Sequence, residues 1–436
     1  MESRRISSLL FCLLLWVPAS FSQDQPEPDP KKRAKAVKDF ARNSDAGAIP
    51  KIAEYLKDPD KGVRLEAVKG IVSIGGVASL DPLAEATRDN DAEIQAWATD
   101  GIVNFYMPGY VKQGFTASLK RTGDVIVGKF VAAPELAVDP YVAGQVRPEL
   151  AQALGKVATG SPSMAVRANA ARALGILRSR QGVPDLLEAA RSKDTTLMLE
   201  SLVALQKIGD LKSGEGVVFL LRDLDPKVQT AAIETVGILR TQEALEPLME
   251  IFSRSDSRQV RRAALSSLGM IPGKAARPLF EEYLLNKDDD LRAAAAEGIG
   301  RLEDPADKAK IAKAFDEERK MKPRLALAFA LVGAGNLEIS EFSPLQYLVN
   351  TLNSSSYRNV ADAYLVELCR KQAVREALYP GMAGRTKEEK IGLARVLAVS
   401  GQKDSLPVLE KLGADPDTSV GVEAARSLRT LRARLQ

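Results

Sequence analysis

The chain has 436 residues, with 61 Lys plus Arg against 57 Asp plus Glu, two Cys and no His. The missing His excludes Ser-His-Asp and Cys-His nucleophilic centres, His-bearing zinc sites and an imidazole general base. A net charge of +4 with no long basic run argues against a nucleic-acid partner, and 45% hydrophobic with only 5% aromatic residues is the balance of an Ala/Leu-rich helical protein.

The chain opens with Arg4-Arg5 and an apolar stretch from Ile6 to Val17. Pro18-Ala19-Ser20-Phe21-Ser22 follows, with small residues suited to a cut after Ser22. The apolar stretch is too short to span a bilayer. Residues 1–22 are therefore predicted to be a signal peptide, and the protein to be exported, periplasmic or secreted. No later run approaches membrane-spanning length, so no span is expected in the mature chain. Cleavage removes Cys12 and leaves Cys369 alone, expected as a small buried side chain without a disulfide partner. Residues 23–47 read as a Pro- and acid-rich linker and a lead-in helix, with Lys31-Lys32-Arg33 solvated.

From residue 48 the chain repeats itself. Glu243 to Gly273 and Ala275 to Asp304 each hold an apolar helical stretch, a polar turn, a second Ala-rich helical stretch and a break. Aligning the end of each second helix gives the anchors Val72, Val103, Gly175, Gln206, Gly237, Gly269, Gly300, Val332, Val366, Ala398 and Arg429. Their spacing is 31 to 34 residues except for one step of 72. Ala stands five residues before eight anchors, at Ala67, Ala98, Ala170, Ala232, Ala264, Ala295, Ala361 and Ala424, where a small side chain lets helices approach. Asp58-Pro59-Asp60, Asp225-Pro226 and Asp415-Pro416-Asp417 supply caps and breaks at the turns. Arg64, Arg167, Arg261, Arg292 and Arg324 recur at one register and are expected to pair with acidic turns of their own or neighbouring units. Asp288-Asp289-Asp290 and Glu317-Glu318 are expected as solvated turns or caps rather than a catalytic pair.

The Asp-Pro turn, Val166-Arg167 at a helix start and Leu174-Gly175 at its end carry a resemblance. The pattern resembles HEAT repeats and the HEAT-like repeats of phycobilisome lyases, over about residues 48–436. The resemblance implies an all-α fold, an armadillo/HEAT-like α-solenoid of about eleven helical hairpins. It also implies protein partners held along the concave face made by the second helices. Among relatives, the di-iron site of deoxyhypusine hydroxylase needs His, which this chain lacks, and the cytosolic phycobilin lyases fit poorly with an export signal.

The long step marks an insertion, residues 104–145, between repeats 1–2 (48–103) and repeats 3–11 (146–436). It holds six aromatics in 42 residues. Long insertions on rigid scaffolds often carry function, and interfaces favour Tyr and Phe. Trp97, Tyr106, Tyr110, Phe115, Lys120, Arg121, Phe130 and Tyr141 are the candidate partner-binding residues. Phe105 and Phe115 are expected inward, Tyr106 and Tyr110 outward. The expected function is a non-enzymatic exported scaffold that binds protein in the cell envelope, with no cofactor or metal. The alternatives are a carboxylate- or Tyr-dependent enzyme, or a module binding cell-envelope glycan, centred on the insertion.

Overall fold

The computed structural model describes residues 29–42, 45–111 and 137–436. Residues 1–22, and Phe115, Lys120, Arg121 and Phe130 of the insertion, lie outside the described residues. Within them the chain is α-helix, short 3-10 helix and loop, with no strand.

A lead-in helix, Pro30–Arg42, precedes eleven hairpins. Arg33 is not solvated as expected. Its guanidinium grips Asp58 at 2.7 Å and docks the lead-in helix onto the first hairpin. The second helices of hairpins 1 to 11 are Lys61–Ile74, Ala92–Tyr106, Met164–Ile176, Thr195–Ile208, Pro226–Ile238, Arg258–Met270, Asp289–Leu302, Met321–Gly333, Arg358–Leu368, Lys387–Ser400 and Thr418–Leu435. The first helices are shorter except in hairpin 3, where Pro148–Gly160 matches its partner at 13 residues, and that of hairpin 5, Glu215–Arg222, is a 3-10 helix.

The turns work as their residues predict. Asp60 accepts a hydrogen bond from the Val63 amide, Asp225 from Lys227 and Asp417 from Val420, each closing an open helix start. The recurrent Arg has a second task. Arg64, Arg292 and Arg324 each donate to the carbonyl six residues earlier, at Asp58, Asn286 and Glu318. Gln95 does the same for Asp89 and Arg358 for Leu352. Arg64 also pairs with Asp89, and Arg292 with Glu318, each on the turn of the next hairpin, at 2.7 and 2.8 Å. This register ties a turn to itself and to its neighbour.

The eight Ala residues five before the anchors are all fully buried. The Gly anchors mark where adjacent second helices touch. A Cβ at Gly237 would sit 2.6 Å from the Ser267 Cβ, and one at Gly300 2.7 Å from the Ala330 Cα. Three residues past an anchor the backbone turns left-handed. Glycines 75, 209 and 335 fill this place in three hairpins, but Arg178, Arg240 and Glu303 fill it in three others, with φ of 49°, 52° and 51°. A side chain there costs about 1–2 kcal/mol.

The insertion does not break the stack. Ser161 donates to Gln95 at 2.7 Å and Asn169 to Asp100 at 2.9 Å, so hairpin 3 packs directly on hairpin 2. Past the insertion, the Val138 amide donates to Ile176 O and the short helix Pro140–Ala143 lies against the last helix, Thr418–Leu435. There Arg426 meets Asp139 at 3.0 Å, 287 residues away in sequence. The last helix thus touches the segment that leads into hairpin 3, and hairpins 3 to 11 curve round so that this segment bridges their two ends.

Candidate functional site on the inner face

The second helices present one face to the first helices and the opposite face to the inside of the arc. Three residues before the anchor, on that inner face, stand Lys69, Asp100, Arg172, Glu234, Glu297, Arg395 and Arg426, seven charged residues in eleven hairpins. Charged side chains inside Ala-rich helices are not placed there by helix packing, which calls for small apolar residues at the contacts.

Most of them are paired. Lys69 lies over the Trp97 ring at 5.5 Å. Arg172 binds Glu200 at 2.6 Å with both side chains buried. Arg395 binds Glu423 at 2.9 Å. Glu297 meets Arg301 at 3.0 Å and accepts from the buried Tyr364 hydroxyl at 2.5 Å. Glu367 then bridges Arg301 and Arg240, at 3.0 and 2.9 Å. Burial alone would lower the Arg301 pKa, but Glu297 and Glu367 outweigh it and raise it. Burial would likewise raise Glu367, yet Arg301 and Arg240 hold it low. The Arg301 guanidinium also covers the Phe329 ring at 4.8 Å, and Phe329 stacks on Tyr364. This cluster joins hairpins 5, 7, 8 and 9, which neighbour-only stacking does not do.

Beside the cluster lies a groove of about 570 Å³ between the second helices of hairpins 5, 6 and 7. Glu234, Ile238, Ser266, Met270 and Glu297 line it, and Arg258, Arg262, Asp290 and Lys322 crowd its other end. Small Ser266 and Ala263 leave the floor low. Glu234 differs from its equivalents: its Oε2 is buried and has no hydrogen-bond partner among the described residues. Burial pushes its carboxyl up to about 7, so it exchanges a proton near neutrality.

The expected aromatic site is placed differently. Tyr110 is only 8% exposed and belongs to the core, which corrects its expected outward placement: the chain entering the insertion needs an apolar anchor. Tyr106 and Phe105 are half-buried, and the Tyr106 hydroxyl accepts from the Arg147 amide at 3.1 Å. Trp97 packs partly against the core. Tyr141 is exposed on the far side of the insertion. The described residues therefore place Tyr106 and Tyr110 as packing elements where hairpin 2 leads into the insertion, and set Trp97 against Lys69 of hairpin 1. The aromatic content of the insertion does not point to the groove residues; their signal in the sequence is the charged register inside Ala-rich helices.

The other acidic runs are structural. Asp288 caps its helix and binds Arg262 and Arg258, and these bonds overcome burial to hold it at about 2. Burial pushes the Cys369 thiol up to about 12, an unreactive state. No helix among the described residues is long and apolar enough to cross a membrane.

A family model described as HEAT repeats matches residues 23–102, 151–218, 217–269 and 245–332. The bilin biosynthesis protein PecE of Mastigocladus laminosus is 34% identical over 107 residues, which is 24% of this chain and 39% of that protein. The chain thus matches about two fifths of the length of that curated relative. Among solved structures, the complex of CpcE and CpcF of phycocyanin lyase from Nostoc sp. PCC7120 is 15% identical, with a TM-score of 0.31, over 76% of this chain and 97% of that one. The karyopherin Kap95p, solved with RanGDP, is 13% identical with a TM-score of 0.43, over 94% of this chain and 60% of that one. The similarity to a bilin biosynthesis protein overturns the expectation of a non-enzymatic chain, because a relative takes part in a biosynthetic reaction.

Proposed function

We propose, for a chain that belongs to the HEAT-repeat family, that it is an exported subunit of an enzymatic assembly and holds its protein partner in the inner groove of hairpins 5 to 7. The observation that carries this reading is the groove itself. It is about 570 Å³, largely apolar in lining with charged side chains at its rim, and set on closely packed helices, with the unsatisfied Glu234 Oε2 on its wall. A buried carboxylate without a partner costs free energy in the isolated chain. A donor from a bound protein would remove that cost. The rigid Ala- and Gly-packed helices keep the groove open before binding, which reduces the ordering cost of association. Export to the cell envelope is supported by Arg4-Arg5, the apolar stretch Ile6 to Val17 and the small residues before Gln23.

The test is capture of partner by tagged full-length chain from its native host, with Ser266→Trp as the comparison. Wild type is expected to begin at Gln23 after export and to retain a protein that Ser266→Trp loses by filling the groove. Equal retention by the variant contradicts the groove assignment, and an intact N-terminus contradicts export. The similarity to a bilin biosynthesis protein favours a second reading, in which the assembly handles a bilin. A shift in the absorption of free bilin on adding the chain and its captured partner would support it; an unchanged spectrum would contradict it.

A further inference from the structure

The left-handed register past the anchors sets out a comparison. Where other hairpins place Gly, three place a charged residue against the backbone's preference. Two of the three have clear occupations. Arg240 reaches Glu367 at 2.9 Å, and Glu303 reaches Lys371 at 2.7 Å, so both tie an earlier hairpin to the end of hairpin 9. Arg178 has the same backbone and no such bond among the described residues. Its Nε is buried and lacks a hydrogen-bond partner among the described residues.

Arg178 opens onto a pocket of about 480 Å³ at the end of hairpins 3 and 4. Its lining combines the polar Arg178, Arg180 and Gln181 with the apolar Pro140, Val146 and Ile208. Among the described residues, the carboxylate that acts on Arg178 is Asp139, and its oxygens are engaged elsewhere. One Asp139 oxygen accepts from the Val142 amide at 2.9 Å, and the other from Arg426 at 3.0 Å. Burial holds the Arg178 guanidinium below its ordinary value, against the pull of Asp139. The Arg178 guanidinium is therefore left without a bonded carboxylate among the described residues, in a partly desolvated place where an anion would be held strongly.

We infer that this pocket binds a small organic oxyanion, a carboxylate or phosphate ester with an apolar body. The oxyanion sits on the Arg178 guanidinium and the apolar body lies against Pro140, Val146 and Ile208. A guanidinium presents donors in a planar fork that matches either oxyanion. The site goes beyond the partner-binding groove and does not depend on it, since it lies at other hairpins.

Titration calorimetry of the full chain with benzoate and with phenyl phosphate tests this. Saturable binding of at least one probe is expected, and the stronger of the two identifies the preferred headgroup. Arg178→Gly is expected to weaken binding about 10- to 100-fold, the size of a lost charge-assisted pair. Glycine tolerates the left-handed backbone, so the same variant is expected to melt at or above the wild-type temperature. Arg240→Gly has the same backbone change but breaks the tie to Glu367; it is expected to keep probe binding and melt lower. Absence of saturable binding to both probes, or equal binding by Arg178→Gly, overturns the assignment. A fall of several degrees in the melting temperature of Arg178→Gly also overturns it, because the residue would then be structural.

Discussion

Glu234 shows how one side chain couples the groove to solution conditions. A glutamate has an ordinary value of 4.5, while Glu234 keeps its proton to about 7. The folded chain thus binds more protons than the unfolded chain between these values, and stability falls as pH rises through this window. The loss is complete above about 7 and absent below about 4.5. Glu234→Gln is therefore expected to stabilise the chain by about 1–3 kcal/mol at pH ~8 and to have almost no effect at pH ~4. Urea denaturation at the two pH values measures it. Equal effects at both would show that the carboxyl ionises normally. The residue itself was readable as a charge inside an Ala-rich helix. Its isolation was not, because some inner-face charges find partners on the next hairpin, as Arg172 does in Glu200, and others only on distant ones, as Arg426 does in Asp139. Glu297 has the same register and is satisfied by Arg301 and by Tyr364, 67 residues on.

At the scale of helices, the anchor position decides how closely neighbouring hairpins stack. A Cβ at Gly237 would strike both the side chain and the backbone of Ser267, at 2.6 and 2.7 Å. Gly237→Ala is expected to cost about 1–3 kcal/mol by overpacking. Gly160→Ala, at a position with nothing within 4 Å, is expected to be neutral or slightly stabilising. Thermal unfolding of the pair checks this, and similar losses in both would refute the close-contact account. The repeat period, turn caps and buried Ala register were legible because each is a local property of one hairpin. The Arg register was legible in part: pairing with acidic turns was expected, and the bond back to the turn carbonyl was not. The insertion was harder to read. Its aromatics have no period, so composition alone could not tell the buried Tyr110 from the exposed Tyr141.

Across the whole molecule, curvature does what no single hairpin encodes. It brings Arg240 and Glu367 together across 127 residues, and Arg426 to Asp139 across 287. Superhelix curvature accumulates from small rotations between hairpins, so the sequence period shows the array but not which distant residues it brings together. Glu367→Gln leaves Arg301 buried with one fewer carboxylate and loosens Arg240. It is expected to destabilise the chain by about 3 kcal/mol, read by chemical denaturation, since breaking a buried pair strands a charge. The same curvature turns the second helices into one inward face, and the central claim is that a protein partner binds there. A photo-crosslinking residue at position 266, inside the groove, and another at 224, where Leu224 is 98% exposed, test it most directly in the native host. The account expects one discrete protein adduct from position 266 and none from 224. Adducts of equal yield from both, or from 224 alone, would contradict it.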